Sequence, residues 1–340
     1  MKTSENKKLW WLAAGAGALL AARAVYRNLT AYNFSGKVVL ITGGSRGLGL
    51  VMARQLAAEG ARLVLCSRDE TELENARLEL AGNGAEVLVM KCDVTVQQQV
   101  NDTIANVQNE FGPIDVLINN AGVIHAGPVT EMTVQDFEEA INTHYWGPVY
   151  TTLAVLPTMK ARKEGRILNI SSIGGKISVP HLVPYSASKF ALVGLSEGLR
   201  AELDQYNICV TTATPGLMRT GSPRHAFVKG QYEKEYALFK LMDSSPLTSN
   251  SAEATASSIL NALRHGEAEV TTTFPAIFGE FVHGISPALM TSVFALVNKF
   301  LPGEGGIGKR RAKGAESESK LSMSWLTERT QQAAIRNNEL

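Results

Sequence analysis

From Lys37 onward the chain alternates short, uniformly apolar runs with longer stretches of mixed polarity. The runs span 37–42 (KVVLIT), 61–67, 85–92, 114–120, 165–171 and 208–214. Apolar at nearly every position and rich in β-branched residues, they predict strands buried on both faces. The stretches 47–59, 69–81, 96–110, 133–160 and 185–206 predict helices. Strands alternating with helices predict an α/β fold, a parallel sheet with right-handed crossovers. No internal repeat is visible.

Two apolar runs outside this alternation read differently. Leu9–Ala22 is uncharged, LWWLAAGAGALLAA, and Trp10, Trp11 and Tyr26 sit near its ends. As a helix it reaches about 21 Å, or about 27 Å to Tyr26 if Arg23 snorkels, against a hydrocarbon core of about 30 Å. A single membrane anchor is the expectation; a cleaved signal peptide and a packed soluble helix are the alternatives. Lys7, Lys8, Arg23 and Arg27 flank both ends and leave the orientation open. The second run, Phe281–Asn298, also lacks formal charge and is interrupted by Gly284 and Pro287. Leu289, Val293, Leu296 and Phe300 form a helical stripe there. It predicts an amphipathic helix on a membrane or capping a pocket, with a subunit contact or a second span as alternatives.

Composition narrows the class. The chain has 340 residues, 45% hydrophobic and 19% charged, which excludes a disordered, collagen-like or polytopic membrane protein. A net charge of +1 excludes a nucleic-acid-binding polycation. Residues 1–34 carry five basic side chains against one acidic, and residues 303–340 seven against five, so the middle is acidic. Basic flanks beside an apolar run suit an anionic lipid surface. Cys66, Cys92 and Cys209 each lie in or at the end of a strand-like run. They read as buried hydrophobes, with no disulfide framework and no metal-ligand spacing.

The candidate chemistry sits at the strand ends. The first run opens into TGGSRGLG, Thr42 to Gly49, with Gly43, Gly47 and Gly49 spaced to bring backbone close to a pyrophosphate before a helix N-terminus. A plain tight turn is the alternative for such a loop alone. The second run ends in Ser67-Arg68, where an acidic residue would bond a ribose 2′-hydroxyl. With Arg46 this favours NADP(H); the alternative for Arg68 is a pair with Glu72 on the next helix. In YSASK, Tyr185 and Lys189 lie at i, i+4 and share a helix face, so the ammonium favours the phenolate. A tyrosine so tuned can give or take a proton. Ser172, ending a buried run, can polarise a carbonyl oxygen from the same space.

Together TGGSRGLG, Asp93, NNAG (119–122), Asn142, Ser172, YSASK (185–189) and PGLMRT (215–220) resemble the short-chain dehydrogenase/reductase family, in its order across about residues 35–270. The resemblance implies one Rossmann-like, doubly wound parallel sheet of about seven strands. It implies Tyr185 as general acid/base, Lys189 as the residue that lowers its pKa and holds the nicotinamide ribose, Ser172 as the group orienting the substrate oxygen, and Asn142 as the holder of a relay water. It implies a cofactor site of Thr42, Gly43, Ser45, Arg46, Gly47, Leu48, Gly49, Ser67, Arg68, Asp93, Val94, Asn119, Ala121, Gly122, Tyr185, Lys189, Pro215, Gly216 and Thr220. Homo-oligomers are also implied. His144-Tyr145-Trp146, bulkier than expected, reads as helix packing rather than a narrowed pocket.

Four regions follow: 1–34, the anchor-like segment; 35–270, the catalytic domain; 271–302, the apolar extension; and 303–340, a flexible charged linker and tail, with no function assigned to its last 16 residues. The substrate lobe is expected at 217–248. Arg224, His225, Lys229 and Lys234 there read as a solvated face, with Phe227, Tyr232, Tyr236 and Phe239 closing an apolar pocket. The expected function is NADP(H)-dependent interconversion of a carbonyl and an alcohol, reducing a lipophilic substrate at a membrane with the catalytic domain facing the cytosol. No metal and no nucleic acid enter this reading. The alternatives are a soluble 3-oxoacyl reductase and a catalytically idle NADP-binding protein.

Overall fold

The computed structural model describes Trp11 and residues 31–340. The predicted N-terminal anchor therefore lies, Trp11 apart, outside the described residues. Residues 34–340 form one unit and 1–33 another.

All six expected strands form, each within two residues of its run: β1 Val38–Thr42, β2 Arg62–Ser67, β3 Val87–Lys91, β4 Val116–Asn119, β6 Gly165–Ile170 and β7 Ile208–Ala213. Every residue of β1 and β4 is buried, as uniform apolar runs require. The sheet is parallel and seven-stranded, in the order β11-β7-β6-β4-β1-β2-β3. Its edge strand β11 is only Glu269–Val270, too short to show as a run. The short β5, His125–Ala126, belongs to a small separate sheet, and β8 Leu217–Arg219 pairs with β10 Ser249–Ser251 in another.

Helices connect the strands: α1 Gly47–Ala58, α2 Glu70–Gly82, α3 Gln97–Glu110, α4 Val134–Ile141, α5 Gly147–Arg162 and α6 Val183–Leu203; α7 Ser222–His225, α8 Tyr232–Ser244 and α9 Ala252–Arg264 follow. This is the Rossmann-like, doubly wound α/β architecture expected. The order of strands reverses between β1 and β4, and a ligand crevice opens outside the carboxyl ends of strands at such a point. Thr42 of β1 pairs in register with Cys66 of β2 and Asn119 of β4, so the loops after these strands leave one edge together.

Two expectations need correction. The stretch 133–160 is not one helix: a π-turn, Asn142–Trp146, separates α4 from α5. Nor is 303–320 a flexible linker. Ala312–Lys313 forms β12, antiparallel to β9, Phe227–Val228. The Arg311 guanidinium lies 4.3 Å over the Phe227 ring and 2.8 Å from Glu139, and Arg224 pairs with Glu318. A Cβ on Gly314 would stand 1.9 Å from the Pro223 carbonyl oxygen, so this chain runs hard against the lobe. Its charges looked solvated because their partners are distant in sequence.

The lobe's basic residues are corrected likewise. Lys229 is buried and pairs at 2.5 Å with Asp136, which also accepts from the Thr133 N–H at 2.7 Å. Arg224 meets Glu318, so neither cation forms a solvated face.

The apolar extension makes two helices, α10 Phe274–Ile285 and α11 Pro287–Asn298. Proline suits the first turn of a helix, and Ser286 caps it by accepting from the Leu289 N–H at 3.3 Å. No described helix is long and apolar enough to cross a membrane. The hairpin is apolar on two sides. Met290, Phe294, Val297 and Leu301 face the interior crevice, while Phe274, Phe278, Phe281, Ile285, Leu289 and Phe300 are exposed.

Candidate active site

The crevice is a cleft of about 1050 Å³ that runs from the glycine loop to the hairpin. Its polar floor is built at the strand ends. Gly43 and Gly47 have φ of +63° and +55°, which glycine adopts without strain. A Cβ on Gly49 would stand 2.2 Å from the Gly43 carbonyl oxygen, so the loop closes onto α1 only with glycine there. Arg46, at the N-cap of α1, offers no side-chain cap, and the first turn holds no acid. A helix N-terminus with no side-chain cap beside a glycine cradle suits an anion. These residues fit the diphosphate of a dinucleotide.

Most expected cofactor residues line the cleft: Gly43, Ser45, Arg46, Gly47, Leu48, Ser67, Arg68, Asp93, Val94, Ala121, Gly122, Pro215, Gly216 and Thr220. Three do not. Gly49 acts through the packing just given. The Thr42 hydroxyl accepts from the Asn120 and Ala121 N–H groups at 3.0 and 3.1 Å, bracing the loop from behind. Asn119 is turned into the sheet, donating to Asn169 Oδ1 at 2.9 Å and accepting from Thr151 at 2.7 Å. Its neighbour Asn120 lines the cleft instead and donates to the Gly43 carbonyl at 2.9 Å. Strand alternation makes the swap: successive side chains leave opposite faces.

The two candidate cations differ. Arg46, rather than Arg68, pairs with Glu72, so the alternative considered for Arg68 does not form. Arg68 is 66% exposed, with Asp93 at 4.0 Å as its ion-pair partner.

Tyr185, Ser172 and Lys189 meet on one wall of the cleft. Ser172 lies two residues past the end of β6, and its hydroxyl accepts from the Gly174 N–H at 3.1 Å. A Cβ on Gly174 would come within 3.1 Å of the Tyr185 ring, so glycine lets the two groups approach. Lys189 is buried; its Nζ donates to the Ile170 carbonyl at 2.8 Å and lies 5.7 Å from the Tyr185 ring centre. Burial brings its ammonium down to about 7. Burial also pushes the Tyr185 phenol up, while Ser172 pulls it down and Asp243 pushes it further up. This departs from the expected lowering by Lys189: the amine is turned to the Ile170 carbonyl, and burial of the phenol sets the direction. Asn142 begins the π-turn and is not on the cleft surface.

Two further groups shape this wall. His144 is fully buried and edge-on to Tyr185, with ring centres 5.4 Å apart. Its Nε2 accepts from the Val123 N–H at 3.1 Å, so Nδ1 carries the proton toward the Ser188 hydroxyl at 2.7 Å. Burial, then the charges of Lys189 and His125, keep it well below its usual range, hence neutral. It wedges the NNAG wall against the Tyr185 helix, the packing role expected. Asp243, buried on the cleft wall, is held well above the carboxylate range by burial and by Glu339. No sequence motif marked it.

The opposite wall is apolar: Leu217, Leu238, Phe239 and Met242 from the lobe, and Met290 and Phe294 from the hairpin. A Cβ on Gly216 would stand 2.1 Å from the Thr273 hydroxyl, the N-cap of α10. The hairpin is thus seated directly against the loop at the cofactor end. Among the described residues no cluster suited to a metal ion occurs.

The family model for short chain dehydrogenase matches residues 37–228. This chain belongs to the short-chain dehydrogenase/reductase family. A short-chain dehydrogenase/reductase of this type is an oxidoreductase that works with a nicotinamide cofactor on small molecules. Similar relatives include dehydrogenase/reductase SDR family member 7B of Danio rerio, 37% identical over 259 residues, covering 74% of this chain and 82% of that protein. A dehydrogenase/reductase SDR family protein 7-like of Anopheles gambiae is 34% identical, covering 78% and 87%. A short-chain dehydrogenase from Streptomyces avermitilis has a similar structure, with a TM-score of 0.67, 28% identity, and coverage of 78% of this chain and 98% of that one.

Proposed function

We propose that the protein is an NADP(H)-dependent reductase of a carbonyl on a lipophilic substrate, working at a membrane surface with its catalytic domain in the cytosol. The observation that carries it is the cleft's asymmetry. One wall presents Tyr185, Ser172 and Lys189; the other is the hairpin, apolar toward the cleft and apolar toward solvent. An exposed apolar surface of that kind suits lipid or another apolar partner.

The dinucleotide, when bound, supplies the hydride for the carbonyl carbon. Tyr185 holds the proton that the carbonyl oxygen takes, and Ser172 orients that oxygen by hydrogen bonding. Lys189, buried beside the ring, holds the ribose and steadies the phenolate left behind. Asp93 and the Asn120–Gly122 wall bound the adenine end; Pro215, Gly216 and Thr220 bound the nicotinamide end. Arg68, exposed and only distantly paired, supports the 2′-phosphate preference; Arg46, already paired with Glu72, supports it less. Family members often assemble, and a homo-oligomer belongs to the same reading.

Two measurements test the proposal. NADPH is expected to support turnover at least tenfold better than NADH. Phe278→Glu with Phe281→Glu is expected to lower sedimentation with anionic vesicles in a protein lacking residues 1–33. Equal use of both cofactors overturns the NADP(H) part; unchanged vesicle binding overturns the membrane part.

A second reading is a 3-oxoacyl reductase. It is favoured by the granaticin polyketide synthase putative ketoacyl reductase 1 of Streptomyces violaceoruber, 42% identical over 185 residues, 54% of this chain and 68% of that protein. Rapid turnover of 3-oxoacyl thioesters, with none of simple long-chain ketones, would select it.

A further inference from the structure

Residues 337–340 run against the glycine loop, and Glu339 among them lines the cleft. The helix before them, α12 Glu328–Arg336, packs on the lobe through a hydrogen bond between Thr330 and Ser244. Arg54 of α1 holds its end, donating to Asn337 Oδ1 at 2.8 Å and to the Arg336 carbonyl at 2.7 Å. The Gly47 N–H then donates to the Asn337 carbonyl at 2.9 Å. Asn338, left-handed at φ +56°, donates from Nδ2 to the Ser45 and Glu72 carbonyls, each at 3.0 Å. Glu339 comes last into the cleft. Its Oε2 accepts from the Gly221 N–H at 2.5 Å, and its Oε1 lies 3.1 Å from where a Cβ on Gly47 would stand.

A carboxylate on the glycine loop, at the open N-terminus of α1, occupies an anion's place. The Gly47 N–H has one hydrogen to give, and the Asn337 carbonyl holds it. Glu339 also reaches the segment after Thr220, so it spans both loops that would grip the two ends of a dinucleotide. A diphosphate and this carboxylate cannot share that space.

We propose that residues 337–340 are an internal plug of the dinucleotide site, with the Glu339 carboxylate standing where the cofactor's diphosphate binds, so that cofactor enters only as these residues leave. The inference rests on reading the cleft as a dinucleotide site. The plug is built to be displaced. Burial pushes the Glu339 carboxyl up to about 7, against the pull of the Gly221 N–H and of Arg46, so its seat is costly to the charged form. The move is local, because α12 is anchored separately by the bond between Thr330 and Ser244. A site open a fraction of the time binds with its affinity reduced by that fraction. A plug closed about ten times in eleven therefore weakens cofactor binding about tenfold.

The test measures NADPH dissociation constants by nucleotide fluorescence for the full chain, for a chain ending after Arg336, and for full-length Glu339→Ala. Thermal unfolding confirms that each is folded. Hydrogen exchange of the 337–340 amides is followed in the full chain with and without NADPH. The shortened chain is expected to bind about tenfold more tightly, with Glu339→Ala between the two. The 337–340 amides are expected to exchange faster once NADPH is bound. Equal or weaker binding by both variants, or slower exchange of those amides with NADPH, overturns the plug and makes the segment a wall of the site. Failure of every form to bind either NADPH or NADH overturns the reading of the cleft itself.

Discussion

Replacing Lys189 by methionine separates what the residue contributes to chemistry from what it costs the fold. The amine is fully desolvated and its pKa falls from 10.5 to about 7. At about 1.36 kcal/mol per unit, the buried ammonium weakens folding by about 5 kcal/mol below pH 7. Between pH 7 and 10.5 the unfolded chain binds a proton that the folded chain has released, so this contribution makes stability rise with pH. The penalty is about 4 kcal/mol at pH 7.5 and about 1.4 kcal/mol at pH 9.5. Methionine removes it, but leaves the Ile170 carbonyl without its 2.8 Å donor. That loss is worth about 1–3 kcal/mol and is the same at both pH values. The variant should therefore be more stable than the parent by about 1–3 kcal/mol at pH 7.5. Its advantage should shrink by about 2.5 kcal/mol at pH 9.5, while turnover is lost at both. Urea unfolding at the two pH values, with equal m, measures this difference. A difference that stays constant or grows with pH would refute the reasoning, because only a desolvated amine makes it fall.

Other substitutions probe separate parts of the account. Lys229→Met leaves Asp136 buried without its cation and should cost about 3–5 kcal/mol in urea unfolding, most of it recovered by adding Asp136→Asn. Gly49→Ala puts a Cβ 2.2 Å from the Gly43 carbonyl; the loop must shift, and NADPH affinity should fall at least tenfold with the far-ultraviolet spectrum unchanged. Arg68→Glu should reverse the NADPH-to-NADH ratio of kcat/KM by about tenfold or more, whereas Arg46→Ala should move it less, since Glu72 already holds that cation.

The residues made some of this legible and hid the rest for physical reasons. β1, β4 and the other central strands are short, β-branched, uniformly apolar runs, the pattern of a sheet buried on both faces. β11 is two residues long and carries no pattern. The 133–160 stretch reads as one helix because a π-turn keeps helical periodicity almost intact across Asn142–Trp146. Of NNAG, Asn120, Ala121 and Gly122 line the cleft and Asn119 does not, because one step along the strand turns the side chain to the other face. Lys229, Arg224 and Arg311 looked solvated because Asp136, Glu318 and Glu139 stand far away in sequence. The same distance concealed the contact between Glu339 and the glycine loop, nearly 300 residues apart along the chain.

The central claim is that Tyr185 delivers a proton to a carbonyl held in an apolar cleft. It is tested most directly by following NADPH oxidation with carbonyls of increasing chain length, using the parent protein and Tyr185→Phe side by side. The account predicts turnover that rises with apolar length and falls at least a hundredfold in the variant, while NADPH still binds. Turnover retained by Tyr185→Phe would contradict it, as would a preference for short, polar carbonyls.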